Sequence, residues 1–155
     1  MNYKIYETII GKILIEEEED KISRIEIVKK EYDKKQQKET EIIKKTHEEL
    51  EEYFKGNRKV FDIPLKIEGT EFQRKVWNAL LEIPYGETRT YLDIAKQIGN
   101  SKACRAVGMA NHNNKIMILI PCHRVIGSNK KLVGYAGGID VKEKLLEIEK
   151  CKFDK

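Results

Sequence analysis

No apolar run in the chain approaches the roughly 18 residues that a membrane span needs. The start of the chain, Met1-Asn2-Tyr3-Lys4-Ile5-Tyr6-Glu7, has no apolar signal core, so secretion is not expected. Cysteine is scarce. Cys104, Cys122 and Cys151 are too few and too irregularly spaced for a disulfide framework, and none belongs to a C-x-x-C pair of the structural-zinc type. The expected setting is a reducing cytoplasm, with no metal and no cofactor, where a single cysteine can matter for its reactivity. Acidic residues are missing from one long stretch. Between Asp93 and Asp140 there is none, while Lys96, Lys102, Arg105, Lys115, Arg124, Lys130 and Lys131 are basic. In a chain otherwise rich in Glu and Lys, such a stretch points to a surface kept clear for an anion, with the phosphate backbone of nucleic acid as first candidate.

What is present fits a folded protein of 155 residues, with 40% hydrophobic and 36% charged residues. Residues 1–65 carry 14 basic and 16 acidic side chains, whereas residues 66–155 carry 16 basic and 10 acidic ones, so positive charge collects in the second part. The expected class is α+β: a small strand-rich lobe with one helix over residues 1–66, then a mainly helical, winged helix-turn-helix-like domain over residues 67–155 that carries the chemistry. Tyr3 to Thr8, Lys12 to Glu16 and Ile22 to Val28 are short β-rich runs, with turn signals at Gly11 and near Asp20. Residues 31–41 are almost wholly polar and read as a loop. Ile42, Ile43, Thr46, Leu50, Tyr53 and Phe54 then follow helical spacing up to a stop at Gly56.

In the second part, Thr70 and Gln73 form a capping-box pattern ahead of a helix with Val76, Ala79 and Leu80 on one face. Pro84-Tyr85-Gly86 supplies a turn, and Thr90 can cap a short helix through Tyr91, Ile94 and Ile98. Gly99 breaks that helix, and Asn100 or Ser101 is expected to start the next, with Ala103, Ala106, Val107 and Ala110 along it. Two short helices around a glycine turn, with small residues where they pack, give a helix-turn-helix pattern that carries Lys102 and Arg105 outward.

The chemistry concentrates where the apolar segment Ile116-Met117-Ile118-Leu119-Ile120 ends at Pro121-Cys122-His123-Arg124-Val125. A cysteine after a proline turn, flanked by His and Arg in a basic region, fits a setting that lowers a thiol pKa towards neutrality and makes a nucleophile. In an extended segment His123 would point away from Cys122, and a bridging water could relay the proton to it.

The string Ile120-Pro121-Cys122-His123-Arg124-Val125 resembles the active-site signature of the O6-alkylguanine-DNA alkyltransferases, the methylated-DNA–protein-cysteine methyltransferases. Phe72 through Trp77, Ile83 through Thr88, Tyr91, Ala103 through Gly108, Asn114, Gly134 through Gly138, and Lys142-Glu143 follow in the order of that family, so the resemblance covers roughly residues 68–150. It implies direct, single-turnover transfer of an alkyl group from O6-alkylguanine in double-stranded DNA, with O4-alkylthymine as a further candidate, by a protein that needs no partner subunit. Cys122 would be the acceptor, His123 the base acting through a water, and Glu149 the carboxylate that orients it. Asn114 would tie the recognition helix to the active segment, and Lys142 would tune the site. Tyr91 would help turn out the nucleotide and protonate the departing ring. Arg105 would fill the gap in the duplex, with Lys102, Ala103 and Arg124 also on the DNA side. Val125, Tyr135, Ala136, Gly137 and Gly138 would line the guanine pocket, Ala136 standing where relatives often have a hydroxyl residue.

Two other classes compete. A non-catalytic lesion binder resembling the alkyltransferase-like proteins would lack the cysteine that stands at position 122. A helix-turn-helix regulator would bind a DNA sequence independently of that cysteine. The resemblance also implies that neither the amino-terminal zinc site of several relatives, for which this lobe offers only His47, nor their additional regulatory domain is expected.

Overall fold

Alternating and β-branched residues at the start of the chain close into a three-stranded antiparallel meander of β1 (Asn2–Thr8), β2 (Gly11–Glu18) and β3 (Lys21–Ile27). The computed structural model describes residues 1–129, 135 and 138–152. Tyr3 faces Glu16 across the first pair and Ile15 faces Ile25 across the second, with a bulge at Glu16/Glu17. The β2–β3 turn is made by Glu19 and Asp20, both at positive φ (56° and 61°), the conformation that matches the twist of a two-residue hairpin. Ile13, Leu14 and Ile15 of the central strand are all fully buried.

Helix α1 (Glu41–Phe54), capped by Thr40, lays Ile43, Leu50, Tyr53 and Phe54 into this core. The polar stretch read as a loop contains one short 3-10 turn, Lys34–Gln36, capped by Asp33. It runs back along β1, where the Ile5 amide donates to Gln37 Oε1 (2.9 Å) and the Lys38 amide to Tyr3 O (2.9 Å). These elements form a unit over Met1–Ile67, distinct from a second over Glu68–Lys155.

The second unit holds α2 (Glu71–Leu81), α3 (Tyr91–Gln97), α4 (Cys104–His112) and α5 (Ile139–Ile148). Thr70 and Gln73 make a reciprocal capping box on α2, and Thr90 and Asp93 make one on α3. Trp77 of α2 donates its indole N–H to Ala110 O of α4 at 2.8 Å. Gly99, at φ 83°, turns the chain between α3 and α4. The start of α4 departs from the sequence reading: Asn100 accepts the Ala103 amide in a turn (3.0 Å), and the helix begins at Cys104 with Ala103 at the cap and no side-chain cap. Lys102 therefore lies ahead of the helix, and only Arg105 of the two basic residues stands on it.

A two-residue parallel ladder joins β4 (Arg89–Thr90) to β5 (Val125–Ile126). It ties the entry to α3 to the segment that follows Cys122. Among the described residues, no helix is long and apolar enough to cross a membrane.

Candidate active site

The apolar run before Pro121 is not an extended strand. Met117 and Ile120 bridge across a tight turn with Ile118 at φ 72°, a strained conformation for a β-branched residue. Cys122, His123 and Arg124 then form a 3-10 turn. The three side chains therefore fan out at about a third of a turn each, and do not alternate as in an extended segment.

Cys122 is buried, and the Asn114 amide holds it from the loop after α4. Asn114 Nδ2 donates to the sulfur at 3.1 Å and to Ile120 O at 2.8 Å, while Asn114 Oδ1 accepts the Ile116 amide at 3.0 Å. Asn111, in the last turn of α4, reaches the Cys122 carbonyl at 3.4 Å. Sequence reasoning missed Asn111, because an asparagine in a helical stretch has no spacing that marks it. The thiol pKa is the other departure. Burial pushes it up, outweighing the Asn114 hydrogen bond, the Lys142 charge and the Tyr135 hydroxyl, which all pull it down. Cys122 in this state is a thiol that must lose its proton to react.

His123 Nε2 lies 2.6 Å from Glu149 Oε2, and both side chains are fully buried. Glu149 can reach inward because α5 ends in a Schellman turn just beyond it: Lys150 sits at φ 58°, and the Cys151 amide returns to Leu146 O at 2.9 Å. Burial would raise the Glu149 pKa, but hydrogen bonds from His123 and Arg124, with the Arg124 charge and the charge His123 takes on in acid, hold the carboxyl at about 2. Burial moves His123 the other way, below 6.5, against the pull of Glu149.

Arg124, expected on the DNA side, is turned inward. It is buried, and its Nε and Nη2 donate to the Glu149 carboxylate at 2.8 and 3.2 Å. Its Nη1 donates to Ile83 O at 2.6 Å, and the guanidinium lies 5.9 Å from the Tyr85 ring centre. Three of its five N–H donors are spent on buried acceptors, and the buried guanidinium is turned away from where a phosphate would approach.

Lys142 projects from α5 with no exposed surface and donates to Val125 O at 2.5 Å. Burial pulls its pKa down to about 8, while the Cys122 charge works in the opposite direction. Tyr91, first residue of α3, is half-buried; burial and the negative charge of an ionised Cys122 both raise its phenol pKa. Its ring lies beside Gly108, where an added Cβ would sit 3.9 Å away. Tyr135 is buried, and Gly138, at φ 99°, caps α5 and donates its amide to Tyr135 O at 3.0 Å. Val125 is fully buried. Lys102 and Arg105 are exposed, and Ala103 is half-buried. Ala136 and Gly137 lie outside the described residues. The structure thus gathers Cys122, His123, Glu149, Asn114, Lys142, Val125 and Tyr135 around one turn, with Arg124 behind Glu149. Among the described residues, no group of three or more His, Cys, Asp and Glu side chains could hold a metal ion.

Comparison with known proteins gives the same region a family. Residues 71–151 match the DNA-binding domain of 6-O-methylguanine DNA methyltransferase, and residues 1–67 match its ribonuclease-like domain. A methylated-DNA–protein-cysteine methyltransferase of Methanosarcina acetivorans is 52% identical, the alignment covering 96% of this chain and 98% of that protein. The constitutive enzyme of that name from Bacillus subtilis is 45% identical, over 97% of this chain and 96% of that one. A crystal structure of Mycobacterium tuberculosis OGT in complex with DNA superposes with a TM-score of 0.88 at 41% identity, covering 97% of this chain and 93% of that chain. This chain belongs to the 6-O-methylguanine DNA methyltransferase family.

Proposed function

We propose that this protein repairs DNA by moving the alkyl group of O6-alkylguanine onto the sulfur of Cys122, one group per protein molecule. The observation that carries the proposal is a buried thiol gripped by Asn114 at 3.1 Å, one residue before a histidine paired with a buried carboxylate at 2.6 Å. The relatives' shared name, methylated-DNA–protein-cysteine methyltransferase, describes this transfer.

An alkyl group on guanine O6 lies inside the base stack, so the nucleotide turns out of the duplex first. Arg105 on the exposed face of α4 fills the space it leaves, with Lys102 and Ala103 beside the backbone. Tyr135, Val125 and Gly138 border the pocket that takes the base. Cys122 starts as a thiol, and His123 removes its proton through a bridging water while Glu149 holds the ring. The sulfur then attacks the alkyl carbon: an S–C bond forms, the C–O bond breaks, and the departing guanine takes a proton from Tyr91. Asn114 and Lys142 stabilise the negative charge that passes through the sulfur. The product is a thioether, which no side chain here can hydrolyse, so the reaction ends after one turnover. O4-alkylthymine presents the same kind of alkyl carbon and is a second substrate for this displacement. The reaction belongs in a reducing cytoplasm, where the three cysteines stay as thiols.

The test is intact mass measurement and peptide mapping after incubation with a duplex containing O6-methylguanine. The expected result is one added methyl group, on Cys122, without added metal or cofactor. Unmodified Cys122 and a persistent lesion would overturn the proposal.

A further inference from the structure

We propose that Arg124 is a positioning residue for the transfer: Arg124, and not His123, supplies the positive charge that balances the buried Glu149 carboxylate, which leaves the imidazole neutral and ready to take the thiol proton. The inference rests on Cys122 being the alkyl acceptor.

The geometry divides the carboxylate between its partners. Glu149 Oε1 accepts from Arg124 Nε (2.8 Å) and the Gly86 amide (3.1 Å); Oε2 accepts from His123 Nε2 (2.6 Å) and Arg124 Nη2 (3.2 Å). A guanidinium is charged at every accessible pH and matches a carboxylate with two parallel bonds, whereas an imidazole can give one hydrogen bond while remaining neutral. The rest of Arg124 is anchored, through Nη1 to Ile83 O and over the Tyr85 ring. Tyr85 in turn donates to Ile148 O at 3.2 Å, so the turn after α2 and the end of α5 hold the ion pair in place.

The charge count around His123 leads the same way. Its own 3-10 turn contributes Arg124 and Cys122, α5 contributes Lys142, the end of α5 contributes Glu149 and Cys151, and the turn after α2 contributes the Tyr85 phenol. Among the described residues, two cations and one anion are fixed there. An imidazolium would be a third buried cation without a second carboxylate to balance it. The direction of the His123 shift agrees: burial leads it downward, and Arg124 and Lys142 oppose protonation further. A neutral ring that gives its Nε2 hydrogen to Glu149 keeps Nδ1 as the basic nitrogen.

The test compares wild type with Arg124→Met and Arg124→Lys in two measurements. One is the pH dependence of the single-turnover rate on an O6-methylguanine duplex. The other is NMR titration of ¹⁵N-histidine-labelled, unreacted protein, with the His123 signal identified by its loss in His123→Gln. In wild type, His123 titrates below 6.5 and the rate at pH 7 lies on the plateau. In Arg124→Met, both the titration and the acid limb move upward, so the rate at pH 7 falls roughly tenfold and recovers as pH rises. Arg124→Lys, which keeps the charge but loses the fork, stays close to wild type in His123 titration. If the methionine variant does not fold, Arg124→Gln carries the same comparison. An equal rate loss at every pH with an unmoved His123 titration overturns the proposal, since that is the outcome of a structural role alone. Should wild type fail to alkylate, the repair reading falls, while the NMR comparison still decides which group balances Glu149.

Discussion

One nitrogen of Asn114 serves both Cys122 and the chain that precedes it: Nδ2 lies 3.1 Å from the thiol sulfur and 2.8 Å from Ile120 O. The oxygen of the same amide takes the Ile116 amide at 3.0 Å, so one side chain at the end of α4 fixes both the strained turn and the nucleophile. Asn114→Ala removes all three bonds from a half-buried site. We expect a stability loss of about 1–3 kcal/mol in chemical denaturation. Alkyl transfer should slow by roughly a hundredfold, as when a preorganised donor to a developing anion is removed. Asn114→Asp should be slower still, because it sets a carboxylate against the sulfur. A rate within threefold of wild type for either variant would remove Asn114 from the mechanism.

Lys142 sets function against stability. Its amine is fully buried, and burial brings its pKa down from 10.5 to about 8, so the folded state holds this proton less tightly than the unfolded chain. Below pH 8 the charged amine costs folding free energy; that cost is relieved as pH rises from 8 towards 10.5. Lys142→Met should therefore fold at least as stably as wild type at pH 7, with the difference shrinking over that window. The same change removes the positive charge that draws the Cys122 pKa down, so alkyl transfer should slow by about tenfold. Stability curves at several pH values, paired with single-turnover rates, check both signs. A variant that is both less stable and equally fast would contradict this account.

Arg105 stands on the exposed face of α4, near an end of the helix that has neither a side-chain cap nor an acidic residue in its first turn. If it fills the gap left by an extruded nucleotide, Arg105→Ala should slow repair in duplex DNA by tenfold or more. Reaction with free O6-benzylguanine, which needs no extrusion, should change little. Equal losses on the two substrates would place Arg105 outside the flipping step.

Local rules were readable along the chain, and burial was not. The Thr70–Gln73 box and the Thr90 cap form as their spacing predicts, because each needs only four consecutive residues; Asp93 completes a second box at Thr90 that the sequence reading does not name. Capping preference points to Asn100 or Ser101 as the start of α4, whereas the cap that forms is Ala103, which carries no capping side chain. Charge and family resemblance place Arg124 on the DNA side, yet its position depends on Glu149, 25 positions away. Basic neighbours in sequence predict a lowered Cys122 pKa; enclosure outweighs them, and one sequence does not display enclosure. The partner of His123 came from family resemblance and not from spacing. The turn that aims Glu149 inward uses Lys150 in a left-handed conformation, where a glycine would have been the visible signal.

Glu149 links the site to acid stability. Its carboxyl titrates near 2 in the folded chain against an ordinary 4.5, so its contribution is complete above about 4.5 and is lost as pH falls towards 2. The shift corresponds to a contribution of roughly 3 kcal/mol for this buried group. Glu149→Gln should remove most of the acid-side slope of stability in that window, and leave Arg124 and His123 without their shared anion at neutral pH. Denaturant midpoints between pH 2 and 7 give the measurement. An unchanged acid slope would mean that other carboxylates govern acid unfolding.

Asn111 offers a contrast with Asn114. Its Oδ1 is buried without a hydrogen-bond partner among the described residues, and its Nδ2 makes only a 3.4 Å contact with the Cys122 carbonyl. That carbonyl also accepts the Val125 amide, so it does not depend on Asn111. Asn111→Leu, which keeps the number and branching of heavy atoms, would remove one long bond and one unsatisfied acceptor together, a trade that is nearly neutral when the remaining partner keeps another bond. The expected result is a stability within about 1 kcal/mol of wild type. The matching Asn114→Leu variant should lose considerably more, because the Ile116 amide and the thiol would both go unserved. Thermal and denaturant unfolding of the two variants side by side decides the matter. If Asn111→Leu proved as damaging as Asn114→Leu, the grip on Cys122 would have to be shared between the two amides, and α4 would hold the nucleophile through its backbone as firmly as through its sulfur.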